Sequence, residues 1–178
     1  MSRIGNADVA PVRLIGIDPG LTGAIAAFRD GALTSIHDFP IVRERGKGRV
    51  DAAALGHLLR DLDPALAIVE RVAARPGQGV TSMFNFGMGY GVILGALGAL
   101  EIQTTLVTPV EWKRALRVSK DDGRAIASRL LPGGAHFWTR VRDDGRAEAA
   151  LIGLWGVKIF DHALPGSVSK LWQAAIEW

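Results

Sequence analysis

The chain has 178 residues, of which 48% are apolar and 22% charged, proportions that suit one globular domain with a core of its own. It has no cysteine, which excludes disulfide frameworks and thiolate metal sites, and its net charge of +3 is too small to name a partner. The N-terminus carries no signal-like apolar run, and the apolar stretch 87–100 is short and glycine-rich for a bilayer span, so a cytoplasmic location is expected.

In chain order, residues 1–11 read as a flexible tail. VRLIGI reads as a buried strand, AIAAF as a second and LTSIHDF as a third, the last two joined by the turn signal Arg29-Asp30-Gly31. A helix is expected over 50–61, opening at Asp51, with Ala54, Leu55, Leu58, Leu59 and Leu62 on one face. ALAIVE follows Pro64 as a fourth strand, then a glycine-rich loop and a long helix over 81–100. QTTLV is a fifth strand. Thr108-Pro109-Val110-Glu111 has the Thr-x-x-Glu capping box with proline at the first helical position, a strong helix start. Further helices are expected over 120–131, 144–161 and from 167 to the C-terminus. The pattern predicts an α/β domain over 12–162, with a mixed five-stranded sheet made of a three-strand meander plus two parallel strands. A C-terminal helical extension would occupy 163–178.

Two strands end on an acid. LIGID stops at Asp18 before Pro19-Gly20, and LAIVE stops at Glu70 before a loop. Sites in open α/β sheets form outside the carboxyl ends of parallel strands. If these strands are neighbours, the two carboxylates repel unless one takes a proton or a cation lies between them. A third position comes from RDDGRAEAALIGLW, where Asp144 and Glu148 share a helix face. Asp144 also suits the helix dipole, but Glu148 is a turn further in and precedes a segment nearly free of charge.

Four carboxylates without a thiol or a histidine cluster form a hard, all-oxygen set suited to Mg²⁺ or Mn²⁺. Two such ions about 4 Å apart can activate water and stabilise the leaving oxygen of a phosphodiester. Setting four of the 18 acids aside leaves 14 against 21 cations, a surface able to meet a polyanion. The candidate phosphate-binding residues are Arg43, Arg45, Lys47, Arg49, Arg71, Arg75, Lys113, Arg114 and Lys120.

IGIDPG, the strand ending in Glu70 and the acid-opened helix with small residues after it together resemble the RuvC-type Holliday junction resolvases, of the RNase H-like nuclease superfamily. The resemblance spans residues 12 to 160. It implies an RNase H-like fold and a Mg²⁺-dependent crossover junction endodeoxyribonuclease. By the same resemblance Asp18, Glu70, Asp144 and Glu148 hold two Mg²⁺ (or Mn²⁺) ions, with Lys113 and Lys120 near the scissile phosphate. The implied partner is four-way DNA, cut by symmetric paired nicks, in a bacterial host or its phage. The remaining alternatives are an RNase H-like nuclease acting on flaps or forks, and a non-catalytic junction-binding protein.

The chain departs from the family in ending the carboxylate set on Glu148 where Asp is usual, and Asp143 is an alternative to Asp144 as third ligand. It also lacks an aromatic directly after the second acid, which leaves Phe84 or Phe86 to enter the junction. Gly87, Gly91 and Gly95 at four-residue spacing, with Gly98 near the same stripe, allow a close approach along the long helix. That approach is to the sheet or to a second copy, and the resemblance favours a homodimer.

Overall fold

The structure is a computed structural model that describes residues 12–44, 46–73, 77, 79–119 and 123–161. The expected N-terminal tail and C-terminal extension lie outside the described residues. The strands β1 (Arg13–Asp18), β2 (Ala24–Arg29) and β3 (Ala32–Asp38) form an antiparallel meander. Asp30 and Gly31 both have positive φ, 50° and 79°, the backbone that a two-residue turn between β2 and β3 demands. The chain then makes a separate hairpin from β4 (Ile41–Glu44) and β5 (Lys47–Val50) before α1 (Ala52–Leu62). Next come β6 (Leu66–Glu70), α2 (Val80–Ala99), β7 (Gln103–Val107), α3 (Pro109–Ala115), α4 (Gly123–Leu130) and α5 (Asp144–Asp161).

The main sheet has the order β3-β2-β1-β6-β7, with β1, β6 and β7 mutually parallel. This is the mixed five-stranded sheet the sequence predicts. Alternate residues of the central strands face opposite layers. Leu14, Ala26, Phe28 and Ile68 meet α5, while Ile15, Ile17, Ala67 and Val69 meet α1 and α2 through Leu55, Leu59, Ile93 and Leu97. Strand β1 is therefore covered on both faces, and its C-terminal acid sits at the edge of the most buried part of the fold.

Helix α5 lies on β1 at backbone contact. A Cβ added to Gly16 would stand 2.2 Å from the Gly153 nitrogen and 2.4 Å from the Ala149 oxygen. This is the packing reason for small residues in AEAALIG, and it brings the first turns of α5 to the carboxyl edge of the sheet.

Three features go beyond the sequence reading. The charged stretch around Arg43 to Arg49 is the β4–β5 hairpin; it was illegible because most of its side chains are exposed and the Arg49–Glu44 ion pair, not a core, faces across it. Residues Pro132–Trp138 form a 3-10 helix with Trp138 buried, a short tertiary-packed element without a periodic signal. Helix α2 starts at Val80, one residue from the expected start, and its 20 residues, unlike the stretch 87–100 alone, are long and apolar enough by length and composition to cross a bilayer. Its inner residues, Ile93 and Leu97, pack in the core described above. Its glycines do not meet the sheet: a Cβ on Gly87, Gly91, Gly95 or Gly98 would have nothing within 4 Å.

Candidate active site

Parallel pairing brings the ends of β1 and β6 together, with Ile17 opposite Val69, so Asp18 and Glu70 follow as the next residues on adjacent strands. The same edge continues through Glu70 opposite Val107 on β7 and, on the other side, through Ala24 opposite both Asp18 and Asp38. The edge is thus a row of strand ends carrying three acids.

Helix α5 closes it. A Cβ on Gly145 would lie 3.1 Å from Asp18 Oδ2 and 2.3 Å from the Thr22 carbonyl oxygen, so the first turn of α5 touches the loop after β1. Arg146 clamps that turn to the sheet edge through a two-pronged bond to Asp38, Nε to Oδ1 at 2.7 Å and Nη2 to Oδ2 at 2.5 Å. One turn further in, Glu148 reaches the cluster. Its Oε1 accepts from Lys113 Nζ at 2.8 Å, with both side chains about one-third exposed (31% and 32%).

Lys113 comes from α3, whose start is fixed by Thr108: its hydroxyl accepts from the Glu111 N–H at 3.2 Å while the Glu111 carboxylate accepts from the Thr108 N–H at 2.8 Å. The preceding residue, Trp112, is fully buried and donates its Nε1–H to Glu70 Oε1 at 2.9 Å.

The electrostatics single out Asp18. Burial first, then the charges of Glu148 and Glu70, push its carboxyl up from 3.8 to about 8, while Lys113 acts in the opposite sense. Carboxylates from two other elements, Glu148 and Glu70, therefore act on Asp18, and the Lys113 ammonium partly compensates them.

Asp144 stands apart from them. Its side chain is 68% exposed and accepts from Arg124 Nε on α4 at 2.7 Å. Asp143 is buried and held by Arg140, whose Nε and Nη2 and backbone N–H all donate to it; these bonds pull its carboxyl down to about 2. Asp143 locks the start of α5. Among the described residues no three His, Asp or Glu side chains are gathered tightly enough to chelate an ion. The donor chemistry of Asp18, Glu70 and Glu148 nevertheless fits a hard divalent cation: all are oxygen donors, and the charges of Glu148 and Glu70 oppose the ionisation of Asp18.

Of the basic candidates, Lys113 is in the cluster. Arg71 follows Glu70 directly and is exposed, as is Arg114 on α3. Arg43, Lys47 and Arg49 are exposed on the β4–β5 hairpin, with Arg49 paired to Glu44. That hairpin and α2 enclose a groove of about 740 Å³ lined in part by Lys47, Arg49, Met88 and Val92. Arg45, Arg75 and Lys120 lie outside the described residues. Phe84 and Phe86 are exposed by 66% and 40% near the start of α2, and Phe86 lines a hollow of about 400 Å³ together with Glu70, Arg71 and Ser82. Sequence alone does not single out Trp112. Its only local signal is its place beside Lys113 in a strongly capped helix.

No protein-family model matches the sequence, and no curated protein matches it. Solved structures do match. RuvC of T. thermophilus in complex with a Holliday junction substrate aligns over 88% of this chain and 98% of its own, at 16% identity and a TM-score of 0.59. A second Thermus thermophilus RuvC structure covers 85% and 96%, at 16% identity and 0.52. The yeast mitochondrial Holliday junction resolvase Ydc2 covers 81% of this chain and 77% of its own, at 15% identity and 0.52. The chain has the RuvC-like, RNase H-like fold.

Proposed function

We propose that this chain is a metal-dependent nuclease that resolves four-way DNA junctions by paired, symmetric nicks. The observation that carries the reading is the convergence of Asp18, Glu70 and Glu148 at the carboxyl edge of the sheet, where they leave Asp18 reluctant to ionise. It is supported by the fold shared with resolvases, one of them bound to a junction.

Asp18, Glu70 and Glu148 are the residues that would hold Mg²⁺ or Mn²⁺, with Asp144 as a fourth ligand once its pair with Arg124 opens. The chemistry such ions supply when bound is neutralisation of phosphate charge and activation of water. The chain's own contributions are positional. Asp18 is fixed by the strand behind it and by Gly145 against it, so its carboxylate has little freedom to follow a misplaced phosphate. Lys113, on leaving Glu148, brings an ammonium to the phosphate oxygens as negative charge builds up there. Hydrolysis breaks the P–O3′ bond and leaves a 5′-phosphate and a 3′-hydroxyl. Arg43, Lys47, Arg49, Arg71 and Arg114 would track the arms through their phosphates, with Phe84 and Phe86 the exposed rings able to stack on bases opened at the crossover.

Incubating the protein with a labelled four-way junction tests this reading. Symmetric nicks with Mg²⁺ and none with Ca²⁺ are expected. Cleavage of flaps or forks in preference to junctions would move the substrate. Tight junction binding with no cutting under Mg²⁺ or Mn²⁺ would make the chain an architectural protein.

Symmetric cutting calls for two sites, and the exposed apolar face of α2 is the proposed homodimer surface. Val80, Phe84 and Met88 are exposed along it, and Gly87, Gly91 and Gly95 leave open space beside them. Gly91→Arg places a charge there, at a position where a Cβ meets nothing within 4 Å. It is expected to leave the fold intact and to convert a dimer to a monomer in sedimentation. An unchanged mass would remove α2 from the interface.

A further inference from the structure

The side chain that ties this cluster together is Trp112, which is neither an acid nor a base. Two contacts meet on it, and a third extends from them. Its edge donates to Glu70 Oε1 at 2.9 Å, its face lies 4.9 Å from Lys113 Nζ, and that same ammonium is bonded to Glu148 Oε1 at 2.8 Å. The two carboxylates whose charges act on Asp18 are thereby joined through one indole and the lysine stacked on it.

The geometry follows from α3. Its first turn is pinned by proline and the capping box, and Trp112 is the next residue, so the backbone from which the indole springs is held at the helix start. Trp112 is 0% exposed, packed with Leu116 and Val107 in the layer beneath α5. A buried indole N–H needs an acceptor, and any carbonyl would serve stability. Spent on a carboxylate, it fixes how that carboxylate is turned. An outer partner that orients a ligand commonly changes metal affinity by about 10- to 100-fold when removed.

We infer that Trp112 is a positioning residue: its N–H sets the orientation of Glu70 and its ring holds Lys113 against Glu148, so that α3 governs the affinity of the carboxylate cluster for a divalent cation. The inference rests on the proposed metal-binding role of that cluster. Lys113 here stands where positive charge is needed before a cation arrives, and the indole face gives it a place to remain when Glu148 is withdrawn.

The test is Mn²⁺ binding to the full chain by calorimetry, for the wild type, Trp112→Phe and Trp138→Phe. Trp138 is equally suited as a control, being buried with its indole N–H on Ser128 Oγ at 2.9 Å and not on a carboxylate. Trp112→Phe is expected to bind Mn²⁺ about tenfold more weakly, with Trp138→Phe close to the wild type. The Mg²⁺ concentration for half-maximal cleavage should rise in parallel, with the rate at saturation largely kept.

Equal Mn²⁺ affinity in the wild type and Trp112→Phe overturns the inference and leaves the metal site standing. Absence of Mn²⁺ binding in wild type and Trp138→Phe alike removes the metal site itself, and the inference with it. Should Trp112→Phe not fold, benzothienylalanine at position 112 keeps the shape of the ring and lacks only the N–H, and the same two outcomes decide.

Discussion

Asp18→Asn is expected to abolish junction cleavage, to leave junction binding largely intact, and to make the ion-free protein more stable. The first two outcomes follow from the role proposed for the carboxylate. The third is a matter of charge. Asp18 is pushed from 3.8 to about 8 in the folded chain, chiefly by burial and then by Glu148 and Glu70. Between those two values the unfolded chain gives up a proton that the folded chain retains. Stability therefore falls as pH rises through this window, is fully present below about 3.8, and levels off above about 8. Each pH unit within it costs about 1.4 kcal/mol, which amounts to a few kcal/mol by pH 7.

An asparagine carries no such charge, so its melting temperature in EDTA should lie above that of the wild type at pH 7 to 8 and match it near pH 4. Added Mg²⁺ should raise the melting temperature of the wild type and have little effect on the variant. Retained cleavage in Asp18→Asn would end the catalytic assignment, and a destabilised variant would mean that the site lacks the strain described for it.

The acids at the strand ends were legible because two local rules agree there. An apolar run that stops on a carboxylate just before a breaker has few structural explanations, and the matching placement of Asp18 and Glu70 requires only that β1 and β6 be adjacent. Parallel order makes them so. Glu148 could be found because helical spacing puts it on the inner face, one turn past the helix start. The choice between Asp143 and Asp144 could not be made from spacing. It depends on Arg140 and Arg124, each of which takes one of the two acids, and side chains that compete for an acid leave no periodic trace. Trp112 was hidden for a related reason: its bond to Glu70 crosses 42 residues, and in sequence it is one more apolar residue in a short helix. The β4–β5 hairpin escaped because its strands bury almost nothing, Val50 apart, so the alternation that betrays a strand was missing. The glycines of α2 kept both of their readings until the structure removed the sheet from the choice.

The glycines of the sheet and of α5 lead to the second large effect. Gly16→Ala is expected to lose more than about 3 kcal/mol of stability or to fail to fold, beyond the usual 1–3 kcal/mol of an overpacked core. The added methyl would lie 2.2 Å from the Gly153 nitrogen, 2.4 Å from the Ala149 oxygen and 2.5 Å from the Gly153 Cα, all backbone atoms of α5. No rotamer can relieve such a contact; the helix itself must move off β1. Moving it would draw Gly145 away from Asp18 Oδ2 and carry Glu148 out of the carboxylate cluster, so any folded fraction should also cut poorly. Gly95→Ala is the matched control. That position is helical and has open space around it, so alanine should stabilise the monomer by up to about 1 kcal/mol. Thermal melts of the two variants then separate glycine needed for contact from glycine kept for a partner. If Gly16→Ala melts like the wild type, α5 is not seated on β1 at backbone distance, and the convergence of Glu148 with Asp18 loses its structural basis.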